Sequence, residues 1–331
     1  MLKLSYILPC YNVGRYIADT LGSIYAQGMR EDEFEVICVN DCSRDNTRDI
    51  IVGIQALHSN LILLDQPRNM YSGAARNRGL EVAKGKYIWF VDADDMVKAD
   101  AAVNLVAQME KDGLDILLFN YDEFPDGHPN VFLEHADLFK ESEILSGTEF
   151  VHKMFQGRLS SLSLLWTRIV RRAIIEDNAI RFPDLYISQD CPFAWESLLL
   201  AKRVKSLSER YYNYRSSTGS ITADKNTAKK AAVWVFQFPV ELRRLEERLE
   251  GKVPETVMDE LERCVRHEVN LFPKRYSALP EEEKTLFFKA MKNEKGWYGR
   301  FKSCLSMKNR ILYHFRLSGD KLFRRIVDRL G

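Results

Sequence analysis

Short, almost unbroken apolar runs alternate with amphipathic stretches through the first third of the chain. The runs are residues 4–8, 34–39, 61–64, 87–91 and 116–119. Brief apolar segments of this kind are the pattern of strands buried on both faces. Between them, residues 16–26, 46–57, 73–84 and 99–111 repeat their apolar positions at three- and four-residue spacing, as helices with one apolar face do. Strand and helix in this alternation predict an α/β fold with a mostly parallel, doubly wound sheet and helices on both faces. From about 147 to 222, helix and strand signals mix and aromatics are frequent. From 223 onward the chain reads as charged amphipathic helix, broken near Pro254 and Pro280. The pattern predicts one domain over 1–222, with halves of about 1–120 and 121–222, and a helical, basic C-terminal region over 223–331.

In open sheets of this class, ligands bind outside the carboxyl ends of the strands. Those ends are where the polar residues gather: Pro9-Cys10-Tyr11-Asn12, Asn40-Asp41-Cys42-Ser43 and Asp92-Ala93-Asp94-Asp95. Three such clusters point to one cleft.

Composition narrows the classes. The 331 residues are 46% hydrophobic and 29% charged, with a formal net charge of +1, which fits a protein with an ordinary core and argues against a dedicated nucleic-acid partner. The six cysteines contain no C-x-x-C pair, and Cys38 and Cys42 have no histidine nearby, so reduced structural thiols are expected rather than a zinc site. The start, MLKLSYILPC, lacks the cleavage site of a secretory leader, and no apolar stretch reaches the roughly 18–20 residues of a membrane span. These features predict a cytoplasmic location.

The acidic turn after residues 87–91 carries the first chemical signal. Carboxylates packed together raise one another's pKa unless a cation neutralises them. Magnesium uses one or two carboxylates together with phosphate oxygens, so D-x-D after a buried strand suits a metal–diphosphate complex. The competing reading is a solvated turn that caps the following helix. Asp41, directly after the second strand, is placed to accept hydrogen bonds from a ligand, whereas Asp45 has the position of a helix cap. Arg76 could pair with phosphate or with an aspartate of the cluster. Asp190 opens an expected helix over 191–200, where a carboxylate has the position of an N-terminal cap. Arg215, Ser220 and Thr222 could line an acceptor, reach phosphates or form a surface strand. No G-x-G-x-x-G follows a strand, and no P-loop is present.

ILPCYN, VNDCSRDNT, the N-x4-A-R-N-x-G segment and WFVDADD, with LLWTRIVRRAII, ISQDCPFAWESLL and YYNYRSSTGSIT downstream, together resemble an inverting family-2 glycosyltransferase of the GT-A fold, of the bacterial surface-polysaccharide type. The resemblance spans roughly residues 3–222. It implies a nucleotide-diphosphate sugar donor, usually UDP-linked, and a divalent cofactor, Mn2+ or Mg2+. Pro9, Tyr11 and Asp41 would then face the nucleoside, Arg76 the diphosphate, and Asp92 and Ala93 the donor. Asp94 and Asp92 would hold the metal, Asp190 would be the catalytic base, and Trp166 and Arg215 would border the acceptor. Asn40, Cys42, Tyr71 and Gln189 depart from the usual pattern, Tyr71 standing where glycine is frequent.

The resemblance implies transfer of single sugars to a saccharide or lipid-linked acceptor, since the Q-x-x-R-W element and membrane helices of processive synthases are absent. Two other readings stay open at this point: a non-catalytic nucleotide-sugar-binding relative, and a nucleotidyltransferase. The second would need a Gly-rich basic loop where CYNVGRYI stands. The final stretch, 291–331, holds eleven Lys and Arg against three acids, interleaved with aromatics. Such a segment suits peripheral contact with an anionic membrane surface, or packing on the catalytic domain with solvated arginines.

Overall fold

The apolar runs become the centre of an eight-stranded sheet. β1 (Leu4–Cys10), β2 (Phe34–Asn40), β3 (Leu61–Asp65) and β4 (Tyr87–Phe90) lie side by side and parallel in the order β3-β2-β1-β4. Every position of β2 is buried, and all but one of β1, as a strand covered on both faces requires. The amphipathic segments supply the connections: α1 (Ile17–Tyr25), α2 (Thr47–Gln55) and α3 (Tyr71–Leu80).

The second half completes the sheet with mixed directions. β5 (Met96–Val97) is followed by α4 (Ala101–Asp112), β6 (Ile116–Pro125), α5 (Gly147–Phe155), a 3-10 turn at Leu165–Thr167, β7 (Arg168–Arg171), α6 (Arg172–Asp177), α7 (Asp190–Leu200) and β8 (Val204–Ser216). The complete order is β3-β2-β1-β4-β7-β6-β8-β5. β7 runs antiparallel to both β4 and β6, β8 runs parallel to β6, and β5 is antiparallel to β8. The expected parallel character therefore holds for the first four strands, and β7 reverses it.

These coordinates are a computed structural model, which describes residues 2–129, 131–133, 136–155, 162–216, 233, 237–270, 280 and 282. The chain divides into two compact units, residues 1–224 with 252–254, and residues 225–251 with 255–331.

Aromatic packing fixes the first unit. Tyr6 stacks on Trp89 at 5.6 Å, Trp89 meets the edge of Phe119 at 5.4 Å, and the Trp89 indole donates to the Trp166 carbonyl at 3.0 Å. Each such ring contributes about 1.5–3 kcal/mol by leaving water. Gly79 lets α3 rest directly on β1, because a Cβ there would lie 2.5 Å from the Ile7 Cγ2. Glu35 interrupts the apolar run of β2 at little cost: its carboxylate accepts from the Ser5 hydroxyl at 2.6 Å and from the Lys84 N–H at 2.6 Å.

The second unit holds α8 (Phe238–Leu249) and α9 (Glu255–Asn270), and the break that the sequence predicts near Pro254 falls between them in the chain. Arg243 on α8 reaches Glu262 on α9 at 2.6 Å. The basic stretch 291–331 lies outside the described residues. Among the described residues, no helix is long and apolar enough to cross a membrane.

Candidate active site

Because β1, β2 and β4 run parallel, in a register that pairs Cys10 with Asn40 and Ile7 with Phe90, their carboxyl ends open on the same edge of the sheet. β1 delivers partly buried Pro9 and then Tyr11, which is 39% exposed. β2 delivers Asp41, which is buried, with Oδ1 accepting from the Met70 N–H at 2.7 Å and from Gln66 at 3.0 Å. Burial pushes the Asp41 carboxyl up, and the Met70 and Tyr71 amides pull it back. Asn40 spans the next turn, donating to Asp65 at 2.8 Å and accepting from the Ser43 N–H at 3.1 Å. Asp45 serves the local turn, accepting from the Thr47 and Gly14 amides at 3.1 and 2.9 Å.

After β4 the chain turns through Asp92, Ala93, Asp94 and Asp95, and the turn is clamped from two sides. The Thr20 hydroxyl lies 3.0 Å from the carbonyl of buried Ala93 and 2.7 Å from that of Asp95. The Tyr212 hydroxyl accepts from the Asp92 N–H at 3.1 Å and donates to Asp95 at 2.8 Å. Asp95 is buried, and its other oxygen accepts from the Arg215 N–H at 2.7 Å. Burial, followed by repulsion from Asp94 and Asp92, raises its pKa well above the ordinary range.

Asp94 differs. Its carboxylate has no side-chain hydrogen bond or ion pair among the described residues; burial, with Asp92 adding repulsion, pushes its pKa up to about 6 against the pull of its own amide and of Arg215. An anion without a side-chain cation beside a second carboxylate suits a hard divalent cation. Among the described residues, no group of three or more His, Cys, Asp or Glu is arranged to hold a metal.

The two halves of the site meet at Arg76. It rises from α3, is 3% exposed, and donates to Asp92 Oδ1 at 2.8 Å and to Asp190 Oδ1 at 2.6 Å. Asp190 is the first residue of α7, and its side chain accepts from Arg76 across the site. The carboxylate is 34% exposed and turned to Arg76. Burial raises its pKa, and Arg76 is the largest opposing influence. Beneath α7 lies Arg168, fully buried and donating to the carbonyls of Ala194 and Leu162; burial brings its pKa down to about 10.

Two expected acceptor residues sit elsewhere than at an open acceptor surface. Trp166 is 7% exposed and stacks on Tyr212 at 4.7 Å and on Tyr214 at 5.4 Å. Arg215 is 5% exposed, donates to the Asp94 carbonyl at 2.7 Å, and packs over the rings of Tyr16 and Phe124. Ser220 and Thr222 lie outside the described residues. Sequence reasoning missed Tyr212, which organises the acidic turn, and Gln66, which braces Asp41. The signal for Tyr212 was its place in the aromatic run YYNYR, but which of those rings meets Asp92 depends on the pairing of β8 with β5.

Comparison with known proteins places the chain in a family. Residues 5–176 match the model of the family described as Glycosyl transferase family 2. The chain is 28% identical over 224 residues to the poly(ribitol-phosphate) beta-N-acetylglucosaminyltransferase TarS of Staphylococcus aureus (strain Mu50 / ATCC 700699), covering 65% of this chain and 35% of that one. It is 28% identical over 257 residues to the glycosyltransferase YibD of Escherichia coli (strain K12), covering 77% and 73%. The matched stretch spans 62% of EpsH from Bacillus subtilis (strain 168), so several relatives are considerably longer than their match.

Among solved structures, S. aureus TarS 1-349 in complex with UDP-GlcNAc superposes with a TM-score of 0.69 at 23% identity, covering 99% of this chain and 91% of that one. The mannosyltransferase PcManGT from Pyrobaculum calidifontis, in complex with GDP-Man and Mn2+, superposes at 0.53 with 16% identity, covering 96% and 88%. These likenesses establish the GT-A fold. With more than half of its length inside the family model, and its polar strand ends gathered on one edge of that fold, the chain belongs to glycosyltransferase family 2.

Proposed function

We propose that this chain moves a single sugar from a nucleoside-diphosphate sugar, a UDP-sugar, to a saccharide or lipid-linked acceptor in surface-polysaccharide synthesis. The observation that carries the reading is Arg76, one buried cation bonded both to the acidic turn at Asp92 and to Asp190, which is 98 positions further along the chain. A donor-binding turn and a carboxylate base are thereby held on one scaffold. TarS, a relative of this chain, is named for transfer of N-acetylglucosamine to poly(ribitol-phosphate), and a TarS structure carries UDP-GlcNAc. Both support the donor and acceptor classes.

The chemistry follows from the groups present. Arg76 occupies Oδ1 of Asp190, and Oδ2 has no partner among the described residues. That oxygen takes the proton of the acceptor hydroxyl as the hydroxyl oxygen attacks the anomeric carbon. The bond to the nucleoside diphosphate breaks on the opposite face, giving single displacement with inversion. General-base help of this kind is worth roughly 10²–10⁴ in rate. Burial raises the basicity of Asp190, and Arg76 is the largest influence opposing that rise. Asp94, which has no side-chain partner among the described residues, and Asp92 fit a divalent ion, Mn2+ or Mg2+, which when bound supplies charge neutralisation for the leaving diphosphate. Pro9, Tyr11 and Asp41 bind the nucleoside. The basic stretch 291–331, outside the described residues, supports peripheral contact with the inner face of the cell membrane, where a lipid-linked acceptor would reside.

The test is thermal unfolding with UDP, GDP, CDP and dTDP, each with and without Mn2+. A ligand at about 100 times its Kd stabilises by roughly 2.7 kcal/mol. A shift confined to UDP and enlarged by Mn2+ supports the reading, and no shift with any of the four overturns it.

A further inference from the structure

The mouth of the cleft carries an aromatic pair that the mechanism does not use. Tyr71, the first residue of α3, meets Tyr186, four positions before Asp190, edge to face with ring centroids 5.0 Å apart. Both side chains are partly exposed. Their place in the cleft is fixed by the neighbours. Met70, just before Tyr71, donates its N–H to Asp41, and Ser72, just after it, is hydrogen-bonded to Gln189 beside Asp190. Gly73 packs so closely that a Cβ there would lie 3.0 Å from the Gln189 Cγ. The pair therefore lies on the strip between the carboxylate that faces the nucleoside and the Arg76–Asp92–Asp190 cluster.

The backbone adds a second observation. Tyr71 has φ +67°, and Ser188, midway between Tyr186 and Asp190, has φ +61°. A bulky residue in the left-handed region is strained, and such outliers persist where surrounding structure holds them, most often at ligand sites. Glycine would relieve the strain at 71, yet the chain carries a large aromatic there.

We propose that Tyr71 and Tyr186 form an aromatic platform for the sugar ring of the donor. The inference rests on the donor reading given above. A sugar joined through a diphosphate to a nucleoside at Asp41, with its anomeric carbon towards Asp190, crosses this strip, and the apolar C–H face of a pyranose leaves water against an aromatic ring.

The test uses the full chain with Mn2+, comparing wild type with Tyr71→Gly and Tyr186→Leu by titration calorimetry against UDP, UDP-glucose and UDP-N-acetylglucosamine. Tyr71→Gly should melt at or above the wild-type temperature, since glycine adopts the required φ without strain. Both variants should keep the wild-type Kd for UDP, while the Kd for whichever UDP-sugar the wild type binds rises about three- to tenfold. Equal weakening for UDP and UDP-sugar would assign the pair to the nucleotide and overturn the platform, as would no change for either ligand. Wild-type protein that binds none of the three would instead overturn the donor reading itself.

Discussion

Asp94 makes the most demanding prediction, because its expected effects on stability and on metal response have opposite signs. Its carboxyl titrates near 6 rather than at the ordinary 3.8, chiefly through burial and then through repulsion by Asp92. Taken whole, a displacement of that size would destabilise the charged form by about 3 kcal/mol. The side chain is partly exposed, and solvent screening brings the expected figure to about 1–2 kcal/mol. The sign follows from proton counting. The folded state holds the Asp94 proton more tightly than the unfolded chain, so stability falls as pH rises from about 4 to about 6 and the loss persists above that window. Asp94→Asn removes the charge. In chelator, the variant should equal the wild type near the acid end of the window and exceed it by about 1–2 kcal/mol at pH 7.5. Urea denaturation at half-unit steps between pH 4.5 and 8 provides the measurement, and the difference between the two curves isolates Asp94 from the other carboxylates. Mn2+ should then stabilise the wild type and leave the variant nearly unmoved. Parallel stability curves would refute the burial argument, and an undiminished Mn2+ response in the variant would refute the assignment of Asp94 to the metal.

Asp190→Asn should lower transfer by roughly 10²–10⁴ while leaving the UDP-dependent thermal shift intact; equal turnover of variant and wild type would refute Asp190 as the base, and UDP binding without transfer in either would favour a non-catalytic relative. Arg76→Met leaves two carboxylates, 31% and 34% exposed, without their shared cation. It should cost about 2–4 kcal/mol in urea, below the figure for fully buried pairs because water reaches both groups. A conserved fold in Arg76→Lys should come with an acid limb of kcat/KM moved to higher pH, since a point charge replaces the fork that lowers Asp190. Trp166→Ala should cost about 3–5 kcal/mol by emptying the stack on Tyr212 and Tyr214, and Trp166→Phe should restore most of it. Acceptor affinity lost in Trp166→Ala without lost stability would point back to the acceptor surface.

The first four strands and the helices between them were legible because their signals are local. A run such as FEVICVN can be satisfied only with both faces covered, and its burial is complete. The same locality placed Asp41 and Asp92 at strand ends, since a parallel sheet sends all its carboxyl ends to one edge. Periodicity left the direction of β7 open, because four residues read alike in either direction, and the strand reverses beside β4. The roles of the charged side chains were not local at all. Arg76 is equally suited to phosphate or carboxylate by type, and its pairing with Asp190 depends on how α3 and α7 approach, which the small Gly73 against Gln189 permits. Arg215 is a plausible surface cation in YNYRSS, yet in the folded chain it closes over Tyr16 and Phe124. Hydrophobic spacing by itself determined which segments are buried and at which edge polar chemistry collects. Only tertiary structure decided which carboxylate is neutralised by a protein cation and which is left without one, because those energies fall off over a few ångströms between residues far apart in the chain.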